Sequence, residues 1–146
     1  MAEALRLLVV QETDWLQRGP HQQHHLFERL SLRGHTVVAV DFEILYTPWP
    51  KAPLLAPRTE WQGVARALPA AHVRVVRPAT VRLPGIARLV SVGAFHHELQ
   101  RLAAQLQPQV LVNYALSTGL PALALARRRQ IPMLMHVIDE IGRAHV

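Results

Sequence analysis

Short apolar runs alternate with amphipathic stretches along this chain. Five of the apolar runs have the length of a strand and are rich in aliphatic side chains: residues 5–10, 35–42, 73–77, 110–114 and 132–138. Short, continuous apolar runs are typical of strands that helices cover on both faces. Because these runs alternate with helical patterns, the sequence predicts an α/β fold built on a parallel sheet.

Three helical stretches are predicted between these strands. Residues 20–33 begin with Pro20, whose missing N–H costs nothing in a first turn, and Gly34 follows as a left-handed cap. Residues 119–129 form a stretch rich in alanine and leucine. The longest stretch, residues 86–106, repeats apolar side chains close to a helical period at Leu89, Val92, Leu99, Leu102 and Leu106.

The remaining segments are predicted as connections. Four prolines between residues 48 and 57 favour a loop, a short helix is expected over residues 58–68, and residues 78–85 form a second loop. The complete prediction is a doubly wound, Rossmann-like parallel sheet of about five strands. Ligands of such sheets bind beyond the carboxyl ends of the strands, which singles out residues 11–22, 41–43, 113–118 and 136–140.

The composition of the chain argues against a nucleic-acid partner and leaves an anionic membrane open. The net charge is +6, but only Lys51 of the 16 basic residues is a lysine, the arginines are mostly scattered, and aromatic residues make up 5% of the chain. A base-stacking surface for nucleic acid is therefore not predicted. Peripheral association with an anionic membrane stays open, because scattered cations still attract anionic headgroups weakly.

The chain contains no cysteine, which excludes disulfides and thiolate metal sites. No apolar run reaches the ~20 residues of a spanning helix, and the first run is too short for a signal peptide. We therefore expect a cytoplasmic location, with the inner face of the membrane as an alternative.

The segment after the first strand, residues 11–22, offers two kinds of candidate chemistry. Its single glycine, Gly19, does not make the glycine-rich fingerprint of dinucleotide or ATP sites, so it is either an anion site at a helix start or a simple turn. His21, His24 and His25 are spaced to share a helix face. They lack further ligands at a diagnostic spacing, so a hydrogen-bonded or solvated histidine face is expected and no metal site.

Acids also gather at the predicted carboxyl edge, after the first, second and fifth strands. They are Glu12 or Asp14, then Asp41, then Asp139. A phosphoacceptor receiver domain would need a lysine after its last strand, and Lys51 is the only lysine. Asp139 either acts as a base or orients a hydroxyl, or it caps the helix that follows.

Two segments carry a family resemblance. Residues 5–44, LRLLVVQETDWLQRGPHQQHHLFERLSLRGHTVVAVDFEI, and residues 108–140, which include NYALSTGLPALALARRRQIPMLMHVIDE, resemble the N-terminal half of GT-B type glycosyltransferases. The resemblance is to the large retaining group, similar to glycosyltransferase family 4, that uses nucleotide-sugar donors. It implies a hexosyltransferase-like enzyme that transfers a sugar to an acceptor hydroxyl, of a sugar or a lipid-linked acceptor, with no cofactor beyond the donor.

The resemblance also implies roles for individual residues. Gly19 matches the family glycine that approaches the donor phosphates, and Asp139 matches a catalytic acid near the reaction centre. Ile138 stands where the family often has histidine, and His136 lies two positions earlier. The implied substrate-binding residues are Asp14, Arg18, Gly19, Pro20, His21, Gln22 and His136.

The domain organisation follows from the same resemblance. Residues 1–140 are expected to form the acceptor-side domain, one half of a GT-B fold, without the donor-binding domain. Residues 141–146, IGRAHV, match the translation of a common sequencing adapter, so we expect them to be non-native and the fragment itself to be inactive. The rival interpretation is a non-catalytic α/β module that binds a sugar or nucleotide, and the oligomeric state stays open.

Overall fold

The computed structural model describes residues 3–43 and 46–137, in which strands and helices alternate. The strands are β1 (Arg6–Val10), β2 (Thr36–Val40), β3 (Leu55–Ala56), β4 (Thr59–Val64), β5 (Val73–Arg77), β6 (Thr80–Val81), β7 (Val110–Asn113) and β8 (Met133–Met135). The helices are α1 (Gln22–Leu32), α2 (Ala87–Leu106) and α3 (Gly119–Arg129). The five predicted strands and three of the four predicted helices are confirmed, with small shifts at their ends.

The main sheet is mixed and has six strands in the order β4-β5-β2-β1-β7-β8. β5, β2, β1, β7 and β8 run parallel, whereas the edge strand β4 is antiparallel to β5. The expectation of a purely parallel sheet of about five strands is therefore wrong at this edge. The chain is an α/β protein whose architecture is compatible with a Rossmann-like fold.

Helices pack on both faces of the sheet, because apolar side chains alternate along its strands. On one face, Leu7, Val9 and Ala39 pack with Trp15 and with Phe27 of α1. On the opposite face lie Leu8, Val10, Val38, Val40, Val76 and Leu111, which pack against Phe95, Leu99 and Leu102 of α2 and Leu125 of α3. The central strand β1 is thus buried on both sides, as its continuous apolar sequence predicts.

The short helix expected over residues 58–68 is absent, and β4 occupies its place. Trp61 packs against the α1-side core and lies 5.1 Å from the guanidinium of Arg77. Glu60 pairs with Arg74 on the neighbouring strand at 2.7 Å. These contacts across the sheet outweigh a helical pattern that was weak, and the register shift between Trp61 and Val64 curls the strand end.

Two other predictions differ from the structure, one for the loop segments and one for Leu89, and the prediction for Gly34 agrees with it. The loops predicted at residues 48–57 and 78–85 contain β3 and β6, which pair with each other in a separate two-stranded sheet. Leu89, predicted on the buried face of α2, is 76% exposed, and the helix buries Ala87, Ser91 and Phe95 instead. Gly34 adopts φ +92° after α1, so its prediction as a left-handed cap is confirmed.

Among the described residues, no helix combines the length and the apolar character that crossing a bilayer requires. Asp139 and the tail 141–146 lie outside the described residues.

Candidate functional site

A row of side chains crosses the carboxyl edge of the sheet. Val10 pairs with Val40 on one side and with Asn113 on the other, and the pairing continues in register to β5 and β8. Because strand residues alternate between faces, the next residues along point to the α1 face. We call them the carboxyl-edge row: Arg77, Asp41, Gln11, Tyr114 and His136.

Arg77 forms a buried ion cluster at one end of this row. Its Nε and Nη2 donate to the two carboxylate oxygens of Asp41 at 3.0 and 2.7 Å, and Nη2 also lies 2.8 Å from Oδ1 of Asp14. Burial raises the pKa of Asp41, and the hydrogen bonds and charge of Arg77 oppose that rise. One guanidinium therefore joins the ends of β5 and β2 to the loop that follows β1.

Asp14 holds the loop that it belongs to. Its Oδ1 accepts the backbone N–H groups of Leu16 and Gln17 at 2.9 and 3.0 Å, and the residue is 1% exposed. Asp41 accepts the N–H of Trp15 at 2.9 Å. The structure therefore places Asp14, expected to bind substrate, beneath the surface, where it and Asp41 fix the start of the loop.

Arg66, from the connection between β4 and β5, holds the other half of the loop. Its Nη1 donates to the carbonyl oxygens of Trp15 and Arg18 at 2.6 and 3.1 Å, and Nη2 donates to that of Gly19 at 3.4 Å. Arg66 is itself positioned by Glu28 of α1, whose Oε1 accepts its backbone N–H at 2.6 Å. The loop is thus clamped from two sides.

Gly19 is required by the packing of its own loop. It adopts φ +83°, and a Cβ there would lie 2.5 Å from the backbone nitrogen of His21 and 3.0 Å from the ring of His24. L-residues with a side chain rarely tolerate such a φ. The loop packing therefore accounts for this glycine without any bound phosphate.

Gly19→Ala is expected to lower the free energy of unfolding by more than Gly34→Ala does. Both positions have positive φ, which alone costs about 1–2 kcal/mol, but a Cβ at Gly34 would meet nothing within 4 Å. Urea unfolding measures both losses: Gly34→Ala reports the cost of positive φ alone, and the additional loss in Gly19→Ala reports the steric contacts of the new methyl group. Equal losses would show that the loop simply shifts to accommodate the methyl group.

His24 is buried, and its ring hydrogen-bonds to two backbone groups of the turn that leads into α1. Its Nδ1 accepts the backbone N–H of His21 at 2.9 Å, and its Nε2 donates to the carbonyl of Trp15 at 2.8 Å. The ring also packs against Trp15, with centroids 4.4 Å apart. Of the three histidines considered for a metal, one is therefore committed to the fold, while His21 and His25 are exposed.

Acid is expected to destabilise the protein through His24. Burial lowers its pKa from the ordinary value of 6.5, and only the neutral ring can accept from His21. The unfolded chain therefore binds more protons, so the contribution of His24 is complete above pH 6.5 and is lost as pH falls towards the lowered native pKa. Urea unfolding from pH 7.5 downwards should show this loss.

The matched variants are His24→Asn, which cannot titrate, and His25→Gln, which removes an exposed histidine on the same helix. The stability of His24→Asn should fall less steeply with acid than that of the parent chain, and His25→Gln should follow the parent chain. Identical slopes for all three would reject this role for His24.

The other expected residues of the loop form its surface. Arg18, Gly19, Pro20, His21 and Gln22 are exposed and lie between the clamped segment and the first turn of α1. A capping box between His21 and His24 occupies part of the start of α1, and the cationic side chain of Arg18 suits an anionic ligand. The structure thus brings five of the expected substrate-binding residues together on one rim, apart from buried Asp14.

His136 lies at the far end of the carboxyl-edge row. It stacks on Tyr114 with ring centroids 5.0 Å apart, and its backbone N–H donates to the carbonyl of Asn113 at 2.9 Å. Both rings line a cavity of about 600 Å³ whose other walls are mainly aliphatic side chains of β1, α1, β7 and β8. Burial raises the pKa of the Tyr114 hydroxyl.

Glu12 occupies the start of α3 on the opposite face of the sheet. Its Oε1 accepts from the hydroxyl of Ser117 at 2.5 Å and from the backbone N–H of Thr118 at 2.8 Å. Burial alone would raise the pKa of Glu12, but these bonds and the charge of Arg88 hold it below its ordinary value. The Glu12 carboxylate therefore occupies the place at the N-terminus of α3 where an anion would bind.

Two buried polar atoms near the loop lack a hydrogen-bond partner among the described residues. They are Oε1 of Gln11 and Nε1 of Trp15. Buried polar atoms are normally satisfied, so unpaired ones call for an explanation by ligand or water. Within residues 3–43 and 46–137, no group of three or more histidine and acidic side chains could hold a metal ion.

Several residues of this edge were not among the expected site residues. Arg66, Arg77 and Glu28 act through contacts between segments far apart in sequence, which no local pattern reveals. Glu28 had a local signal, because it shares a helix face with His24, Phe27 and Ser31, and all four are buried. An acid on a buried face indicates a partner inside the fold.

Neither a family model nor a curated protein matches this chain. Any assignment of function therefore depends on the geometry of the carboxyl edge.

Proposed function

We propose that this chain is the acceptor-side, Rossmann-like domain of a retaining GT-B type glycosyltransferase. The enzyme would transfer a sugar from a nucleotide-sugar donor to an acceptor hydroxyl. Its N-terminal domain would supply positioning and stabilisation of phosphate charge, and it would need no metal of its own. The residue with the catalytic role in this proposal is Asp139.

The observation that carries the proposal is the clamped loop after β1. Arg77 and Arg66 hold its buried part, through Asp14 and Asp41 and through three carbonyl oxygens. A loop of this length that is fixed from two sides presents its exposed rim in one geometry, which is what a binding site at a sheet edge requires.

The order of the parallel strands also supports the proposal. β1 is central, and the chain passes outwards through β2 and β5 on one side and through β7 and β8 on the other. A reversal of strand order next to the first strand creates a crevice at the carboxyl edge, where doubly wound folds bind their ligands. The loop after β1 and Tyr114 after β7 flank this point.

The test reads the source DNA onward from the codon for Glu140 and assays the encoded protein for sugar transfer from a panel of nucleotide sugars. A second Rossmann-like domain and measurable transfer are expected. A stop codon in the source DNA, together with sugar or nucleotide binding but no transfer, would instead identify a non-catalytic binding module.

Loop variants in the active protein then test the site itself. Replacing Arg18 or His21 with alanine should lower kcat/KM by about tenfold or more, since a hydrogen bond to a charged group contributes about 1.5–3 kcal/mol. His25→Ala, exposed one turn further along α1, should leave the rate unchanged. Equal rates for all three variants would move the substrate site away from this rim.

A further inference from the structure

The two edges of the six-stranded sheet differ in how they are protected from other chains. At the β4 edge, Glu60 forms ion pairs with Arg58 and Arg74, and the pairing of β4 with β5 is irregular. Charged side chains and irregular pairing keep an edge strand from pairing with another chain. The opposite edge is β8, and residues 130–137, which contain β8, include no aspartate, glutamate, lysine or arginine.

The outer side of β8 presents apolar side chains and a row of backbone groups. Leu134, Met135 and Val137 are 62, 49 and 66% exposed. The carbonyl of Pro132 and the N–H of His136 bond to β7, and backbone groups alternate between the two sides of a strand, so those of Met135 and Val137 face outwards. The N–H that Pro132 lacks therefore falls on the β7 side. In the described part of the chain no strand pairs with this outer side, which is a template for a further strand.

The sequence around β8 is complementary to itself in charge. Arg128 and Arg129 precede the uncharged segment, and Asp139 and Glu140 follow it. When two copies of β8 pair antiparallel, the basic end of each copy meets the acidic end of the other. A register centred on Leu134 brings Arg128 opposite Glu140. The same register brings Arg129 opposite Asp139. A two-fold dimer requires this kind of self-complementary surface.

We propose that β8 pairs antiparallel with β8 of a second copy of this chain, in the register centred on Leu134. The two sheets join into one continuous sheet, and the two-fold axis is perpendicular to it. Leu134 pairs with Val112, which belongs to the core on the α1 side, so both copies of Leu134 lie on that side and meet at the axis. A register shifted by two residues places Asp139 opposite the apolar Ile131, and this mismatch favours the central register.

The pairing also brings the second copy to the rim of the largest cavity. Leu134 and Val137 line the cavity of about 600 Å³ between α1 and the sheet, so Leu134 of the second copy extends its apolar wall. The inference does not depend on the proposed transferase, because pairing of the two strands needs neither donor nor acceptor.

The first experiment is sedimentation velocity of the 146-residue chain over a range of concentrations. A reversible dimer is expected. Leu134→Arg should raise its dissociation constant roughly a hundredfold, because two leucines are no longer buried and like charges stand directly opposite each other. The matched control is Leu120→Arg, which changes a leucine of similar exposure, 66%, outside β8 and should dimerise as the parent chain does.

A charge exchange tests the direction and register of the pairing. Arg128→Glu and Glu140→Arg should each raise the dissociation constant about fivefold, because two exposed ion pairs become repulsive. The double variant restores both pairs with inverted sign, so its dissociation constant should return to within about twofold of the parent value. A double variant that dimerises more weakly than either single variant contradicts this register.

A disulfide locates the axis, since the chain contains no cysteine of its own. The backbone groups of Leu134 face β7, so the two copies of this residue form a pair without hydrogen bonds between them. The Cα atoms of such a pair lie about 4.5 Å apart, within the range that a disulfide spans. Mild oxidation should therefore link Leu134→Cys into dimers and leave Leu120→Cys unlinked.

Three results overturn the proposal. They are a parent chain that stays monomeric at every concentration, a dimer that Leu134→Arg does not weaken, and a Leu134→Cys variant that forms no more linked dimer than Leu120→Cys does. Because Leu134 is exposed and cysteine is small, the cysteine variant keeps the test valid if the arginine variant fails to fold.

Discussion

Arg77→Met is expected to lower the free energy of unfolding by about 3–5 kcal/mol, because it leaves buried carboxylates without their partner. Asp41 and Asp14 both lie within 2.8 Å of the guanidinium and are almost fully buried. Methionine keeps most of the side-chain volume, so the loss reports charge and hydrogen bonding more than packing. Urea unfolding at pH 7.5 measures it.

The matched control is Arg74→Met on the same strand. Arg74 pairs with Glu60, and the side chains of both are one-quarter exposed, so the loss should be about 1 kcal/mol or less. The deficit of Arg77→Met should also shrink as the pH falls, because protonation removes the unpaired negative charges. A deficit that matches that of Arg74→Met, or that stays constant with pH, would show that the cluster does not hold the loop.

The second large effect is expected for Glu28→Ala. The two carboxylate oxygens of Glu28 accept the backbone N–H groups of Arg66, Ala67 and Leu68 at 2.6, 2.8 and 2.7 Å, and the residue is fully buried. Each buried donor left without a partner costs about 1–3 kcal/mol, so a total loss of roughly 3 kcal/mol or more is expected in urea unfolding.

Glu60→Ala is the control, since this partly exposed glutamate pairs with arginine side chains on the sheet edge and should lose about 1 kcal/mol or less. Glu28→Ala should also speed amide hydrogen exchange in the loop of residues 15–19, because Arg66 would no longer be held against its carbonyl groups. Unchanged hydrogen exchange at residues 15–19 would show that Glu28 does not stabilise the conformation of the loop.

Large effects are expected for Arg77→Met and Glu28→Ala for the same physical reason. The loop after β1 has few apolar side chains to bury apart from Trp15, so ion pairs and hydrogen bonds to backbone groups give it a single conformation. Those groups come from β5, β2, α1 and the connection before β5. The conformation of the exposed residues Arg18 to Gln22 therefore depends on residues that lie outside the exposed rim.

The amino-acid pattern by itself determined most of the sheet and its helices. The continuous aliphatic runs of β1, β2, β5 and β7 have no other stable environment than a covered sheet. The start and end of α3 at Gly119 and Arg129, and the left-handed cap at Gly34, also follow from local preferences. These features depend on residues that are close in sequence, and local chemistry decides them.

The tertiary structure alone decided β4, the exposure of Leu89 and the partners of the polar residues at the carboxyl edge. Residues 58–68 follow neither period strongly, so the pairing of Trp61 and Glu60 with β5 selects a strand. Leu89 fits a helical period, but the start of α2 buries the face that carries Ala87 and Ser91 instead, and Ser91 lies 3.4 Å from Thr80 of β6. Arg77 meets Asp41 and Asp14 across 36 and 63 positions of the chain, and the free energy of such contacts depends on distances that only the folded chain defines.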